Sequence, residues 1–168
     1  FSNLQVSIAL DALSVWYLPS IERWIFEKEI NIENVREVAS RGFENCSSLE
    51  IKRTGGFYGI SKIGSRAFKN CDSIKEILID TVFPLGEESF AECSSLRKVI
   101  MDESNTFSIQ RRAFRDCPQL ETVKFPCTRM TATVATIGEE VFKGCSKLKR
   151  FDLKGTYIVD NAKGLFLN

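Results

Sequence analysis

The chain of 168 residues contains no histidine. That absence removes the commonest general base, every Ser-His or Cys-His nucleophile pair and every metal site that needs an imidazole. Long hydrophobic runs are missing as well. Arg, Glu, Asp, Ser or Pro interrupts each apolar stretch before it reaches the ~18 residues of a membrane helix, so no membrane span is expected in this piece. Nor is there an excess of charge of one sign. Lys+Arg number 23 against 22 Asp+Glu, and a net charge of +1 gives no bulk reason to expect nucleic acid as a partner. What remains is 43% apolar and 27% charged, the balance of an ordinary globular domain. The length allows one domain, or two small ones, and a core large enough to stand without metals or staples.

The six cysteines are not spaced as a disulfide framework. Five of them close the same phrase: Phe43-Glu-Asn-Cys46, Phe68-Lys-Asn-Cys71, Phe90-Ala-Glu-Cys93, Phe114-Arg-Asp-Cys117 and Phe142-Lys-Gly-Cys145. Chance placement of 13 Phe and 6 Cys gives about half such an occurrence, so the phrase marks an internal repeat. Five residues before each Phe stands an aliphatic: Val38, Ile63, Leu85, Ile109 or Ile137. A small residue follows it in four copies (Ala39, Gly64, Gly86, Gly138), with Gln110 the exception. Three residues after each Cys comes Leu49, Ile74, Leu96, Leu120 or Leu148.

Two periodicities alternate inside a unit. Phe68, Cys71 and Ile74 are three apart, which predicts one face of a short helical turn, with Glu87-Glu88 and Glu139-Glu140 at its solvated start. Ile77 and Ile79, or Val123 and Phe125, then alternate with polar residues as in a strand with one buried face. Such a unit cannot bury its apolar side alone and must stack on its neighbours. The expected fold is an α/β repeat: a solenoid with one parallel β-sheet face and short helical turns opposite. It is read as a single array over 1–168, with 1–34 degenerate or capping, 35–168 regular, and the whole a fragment of a longer array.

The phrase Ile63-Gly-Ser-Arg-Ala-Phe68-Lys-Asn-Cys71-Asp-Ser-Ile74-Lys-Glu-Ile77 resembles the BspA-like leucine-rich repeat, also called the Treponema pallidum class. The resemblance covers residues 35–168 well and 1–34 loosely. It departs in two places, an insertion at 126–136 and a first copy with Val15 and Leu18 in place of Phe and Cys. It makes the expected solenoid a leucine-rich-repeat solenoid and implies repeat arrays on bacterial and protozoan surfaces that attach to host proteins or other cells. On that footing the chain is expected to be a non-enzymatic protein-binding module, adhesin-like, at the cell surface or secreted, with a host or neighbouring-cell protein as partner. The rival reading is an intracellular scaffold with a cytoskeletal assembly as partner, which free thiols in nearly every unit would suit.

No catalytic, cofactor or metal site is expected. The five in-phase cysteines lack the close pairing of a zinc site and read as small buried hydrophobes, whereas Cys127, out of phase beside Pro126, reads as the exposed thiol. Asn45-Cys46-Ser47 is a lone glycosylation sequon whose central Cys is expected to be buried. The candidate binding surface is the outward side of the strands. It comprises Arg23 and Ile25, Glu76 and Leu78, Lys98 and Ile100, Thr122 and Lys124, and Arg150 and Asp152. These form a charged row beside a row with an apolar stretch, Ile25, Leu78 and Ile100.

Overall fold

A computed structural model describes residues 29–30, 37–51, 61–79, 84–101, 106–125, 134–153 and 157–159. The readings made above for residues 1–28, including Arg23 and Ile25, and for Cys127 lie outside these. Eleven strands occur among the described residues. They are β1 (Glu29–Ile30), β2 (Glu37–Val38), β3 (Glu50–Ile51), β4 (Lys62–Ile63), β5 (Glu76–Ile79), β6 (Lys98–Met101), β7 (Thr106–Ile109), β8 (Thr122–Phe125), β9 (Val134–Ile137), β10 (Arg150–Leu153) and β11 (Tyr157–Val159).

Every pairing is parallel. This follows from repetition, since successive copies of one unit enter a sheet in the same direction and the rest of the unit is the crossover. One sheet has the order β5-β6-β8-β10. Strands β7, β9 and β11 form a second, and β2 pairs with β4. Single bridges from Leu85 to Ile63 and to Ile109 carry that second row of strands through the unit between β4 and β7. The aliphatic five residues before each Phe is therefore the inward end of a second strand. Val38, Ile63, Leu85, Ile109 and Ile137 are all buried there. One sheet face was expected, and each regular unit contributes to two.

No helix occurs among the described residues, which corrects the expected helical turns. In each unit the residues two before and two after the Phe have a left-handed backbone: Arg66 and Asn70 around Phe68 (both φ 58°), Glu88 and Glu92 around Phe90 (53° and 61°). A left-handed residue every fourth position cannot belong to an α-helix. The N–H groups sort accordingly. Those of Arg66, Phe68 and Asn70 cross to the carbonyls of Glu87, Ser89 and Ala91 in the next unit, at 2.7–2.9 Å. Those of Ala67 and Lys69 close local turns onto Gly64 and Arg66. The spacing of three is real, but it comes from consecutive turns. Cys46 N–H donates to Phe43 C=O, and Leu49 N–H to Cys46 C=O.

The turn explains the phrase. Phe43, Phe68, Phe90, Phe114 and Phe142 stack face to face with centroids 5.0–5.8 Å apart and planes within 14°. Each thiol after the first donates to the carbonyl of the preceding unit's Phe: Cys71 to Phe43 (3.0 Å), Cys93 to Phe68 (3.2 Å), Cys117 to Phe90 (3.2 Å) and Cys145 to Phe114 (3.1 Å). Cysteine suits the slot because it is a small hydrophobe that can still donate, however weakly. Burial pushes the Cys71 and Cys117 thiols well up. Cys46 corrects the expectation of burial. It begins the described row, has no earlier Phe carbonyl there to donate to, and is only half-buried. Glycine follows the aliphatic for a steric reason: a Cβ on Gly86 would lie 2.5 Å from the backbone of Gly64 and Ser65.

Phe114 is fully buried between two other rings. Phe114→Ala is expected to lower unfolding stability by ~3–5 kcal/mol in urea titration, and a loss below ~1 kcal/mol would contradict the stack. Native labelling with a thiol reagent, read by mass spectrometry, should modify Cys46 before Cys71, Cys93 and Cys117, because buried thiols are inert.

Candidate binding face

The register of β5, β6, β8 and β10 sets the outward positions in line. Glu76 faces Lys98, Lys98 faces Thr122 and Thr122 faces Arg150. In the second line Leu78 faces Ile100, Ile100 faces Lys124 and Lys124 faces Asp152. Between the two lines Ile77, Val99 and Val123 point into the core, each nearly inaccessible. The alternation is that of a strand with one buried side. Glu76 and Lys124 are exposed, while Leu78, Lys98, Ile100 and Thr122 are half-buried. Neighbouring strands lie about 4.8 Å apart, so Leu78 and Ile100 are adjacent members of one apolar rib. For Arg150 and Asp152 the register alone is described.

A third line was missed in the sequence. Four residues after each Cys from Cys71 onward stand Lys75, Arg97, Glu121 and Lys149, all exposed. They border the sheet just before its strands and are joined by backbone hydrogen bonds, Arg97 N–H to Lys75 C=O and Lys149 N–H to Glu121 C=O. Their constant offset from the Cys was the signal available.

The opposite, turn side is charged in a different way. The slot two residues before the Phe carries Arg66, Glu88, Arg112 and Glu140 in successive units. Glu88 accepts from Arg66 Nε at 2.9 Å and Lys69 Nζ at 3.0 Å, with Arg112 3.9 Å away on its other side. Glu140 accepts from Arg112 and from Lys143 at 3.0 Å. The paired glutamates are thus not a solvated helix start. Glu88 is buried within a ladder of alternating sign. Burial opposes its ionisation, but Lys69 and Arg66 overcome that and hold its carboxyl below the usual range. The Arg112 hydrogen bond, aided by Lys143, lowers the Glu140 carboxyl to about 2. A groove among the described residues is lined by Ser108, Gln110, Arg111, Thr136 and Glu139. Its cation, Arg111, lies 3.9 Å from both Glu87 and Glu139 and is already neutralised.

A family model described as BspA type leucine rich repeat region matches residues 26–149 and 128–163, in six copies. The chain belongs to that family. In this BspA type repeat protein the Phe and Cys of the motif are the stacked rings and the thiol ladder described above. No curated protein matches it in sequence. Among solved structures it is similar to a leucine-rich repeat protein from Bacteroides ovatus ATCC 8483, at 21% identity and a TM-score of 0.31. The match covers 72% of this chain and 53% of that one, so the chain spans about half the length of its structural relative.

A carboxylate held low by its partners stabilises the fold above its unfolded pKa and stops doing so as pH falls through the folded value. For Glu140 that window runs from the ordinary 4.5 down to about 2. Melting temperature should therefore be flat above pH ~5 and fall below pH ~4.5, more shallowly in Glu140→Gln, which has already lost the contribution. A parallel fall in both proteins would show that the ladder does not couple to folding.

Proposed function

We propose that the chain is a non-enzymatic recognition module, a solenoid of BspA type repeats that binds another protein through the outward side of the β5-β6-β8-β10 sheet. Membership of a repeat family supports a protein-interaction role. The single observation that carries the choice of face is the register, which aligns Leu78 with Ile100 as an apolar rib bordered by charge. Interfaces concentrate their energy in such a centre, with apolar anchors and cations in a desolvated patch. Arg23, Ile25, Glu76, Lys98, Thr122, Lys124, Arg150 and Asp152 complete the proposed surface. The finer reading is an adhesin-like protein displayed at a cell surface or secreted, acting on host or neighbouring-cell proteins, as the family resemblance implies.

An intracellular scaffold is the second reading, and the free thiols are the observation in its favour. Cys71, Cys93 and Cys117 are sealed in the core and hydrogen-bonded there, so they tolerate an oxidising exterior. This removes most of the force of that argument.

The test is capture by the immobilised chain of a panel of plasma and extracellular-matrix proteins. Leu78→Ser with Ile100→Ser should abolish capture while leaving circular dichroism and melting nearly unchanged. Arg41→Ser, on the turn side, should capture as the wild type does. Arg66 and Lys69 are unsuitable controls, because both hold Glu88. Capture lost only through the turn-side change, or no capture from the panel at all, would refute the proposed face or the proposed role respectively.

A further inference from the structure

The two sides of the molecule treat their charges differently. On the turn side, Arg41, Arg66, Lys69, Arg112, Arg115 and Lys143 each lie within 4.0 Å of a carboxylate. On the sheet side, Lys75, Arg97, Lys124 and Lys149 are exposed and in no ion pair among the described residues. Lys98 reaches Glu76 only at 4.0 Å. The described strands of this face and their border thus hold Lys75, Arg97, Lys98, Lys124, Lys149 and Arg150 against Glu76, Glu121 and Asp152. Among the described residues, exposed cations in no ion pair are thus concentrated around the apolar rib, with Lys62 and Lys147 the ones elsewhere.

From this asymmetry we infer that the partner is an acidic protein segment, one that alternates Asp or Glu with aliphatic side chains. The inference rests on the proposed binding face and adds the chemistry of what docks there. Each part of the segment answers a feature of the face. Aliphatic side chains cover Leu78 and Ile100, which are half-buried and gain by being dried. Carboxylates meet Lys98 and Lys124 beside the rib and Lys75, Arg97 and Lys149 along the border. These rim charges act over about a Debye length, ~8 Å at physiological salt, so they steer encounter and set orientation more than they add affinity. A nucleic acid or sulfated glycan would satisfy the cations but leave the rib facing phosphate or sulfate. The turn side has less such capacity, since a partner at Arg66, Lys69, Arg112 or Lys143 must first break an existing pair.

The experiment pans a random 12-residue phage-displayed peptide library against the immobilised chain. Peptides enriched on the wild type should interleave Asp or Glu with Leu, Ile or Val, and their binding should weaken as salt is raised. Lys98→Glu with Lys124→Glu should cut the affinity of the best acidic peptide by about tenfold or more and shift selection toward Lys and Arg. Arg41→Glu with Lys62→Glu changes net charge equally on other surfaces and should do neither. Enrichment without acidic bias, or acidic peptides indifferent to the Lys98 and Lys124 reversal, overturns the inference. So does a single-stranded oligonucleotide or heparin that binds as tightly and ignores Leu78→Ser with Ile100→Ser. If peptide binding falls with the Leu78 and Ile100 change but not with charge reversal, only the acidic partner is wrong. If neither change matters, the face itself is wrong.

Discussion

One translation, the distance between hydrogen-bonded neighbours, has to serve the turns and both sheets at once. Strand spacing of about 4.8 Å is set by the backbone and is not negotiable. In the turn the same step is enforced by three N–H to C=O bonds per junction, such as those from Arg66, Phe68 and Asn70. The Phe rings follow it at 5.0–5.8 Å, a distance at which flat rings in contact still pack. The step leaves little room at the corner between second strand and turn. The Cβ of alanine at Gly86 would press on the backbone of the unit before it, and Gly64 and Gly138 meet the same restriction. Glycine in that slot and phenylalanine four residues later are two answers to one spacing.

The turn's geometry carries a conformational cost that the charge ladder offsets. Two residues per unit are left-handed, and a non-glycine residue in that region is disfavoured by roughly 1–2 kcal/mol. In the slot after the Phe the sequence concedes the point in four units of five, with Asn45, Asn70, Asp116 and Gly144, residues that accept positive φ readily; Glu92 is the exception. In the slot before it, Arg41, Arg66, Glu88, Arg112 and Glu140 have no such aptitude. Their backbones are held by inter-unit hydrogen bonds, and the side chains of Arg66, Glu88, Arg112 and Glu140 are rewarded by alternating sign along the stack. From Arg66 onward a unit bearing Glu at this slot sits well beside units bearing Arg, whereas Arg41 and Arg66 in the first two units share a sign.

The sequence disclosed the repeat, its register and the inward set, because those depend on residue type at fixed intervals. Phe114, Cys117, Leu120 and Val123 are all buried as the spacing implied. It disclosed the outward lines of the main sheet for the same reason, since Glu76, Lys98 and Thr122, or Leu78, Ile100 and Lys124, share a phase. The backbone of the turn was misread. A spacing of three is common to a helical face and to consecutive hydrogen-bonded turns, and no side chain distinguishes them at Arg66 or Glu88, which favour neither. The second sheet was half-visible, in the row Val38, Ile63, Leu85, Ile109 and Ile137, but its outward partners vary too much to alternate legibly. The pairing of Arg66 with Glu88 was hidden because the residues are 22 apart, and only the superposition of units brings them together.

That superposition also decides where function can reside. A turn whose N–H groups, thiols and most charges are answered locally or by adjacent units offers little to an outside molecule. Any partner there would have to exchange contacts already made, such as Arg112 with Glu140, at a desolvation cost the new contacts must first recover. The outward side of the main sheet is different because its backbone is satisfied by the ladder while Lys75, Arg97, Lys124 and Lys149 are in no ion pair among the described residues. Lys124 and Leu78 project from a surface whose geometry does not depend on them. They can vary from one array to another without touching Phe114 or Cys117. A fold that confines its structural demands to the inward positions and the turn leaves the remaining lines free for recognition. In the proposed function, the concentration of unpaired cations around Leu78 and Ile100 is the particular use made of that freedom.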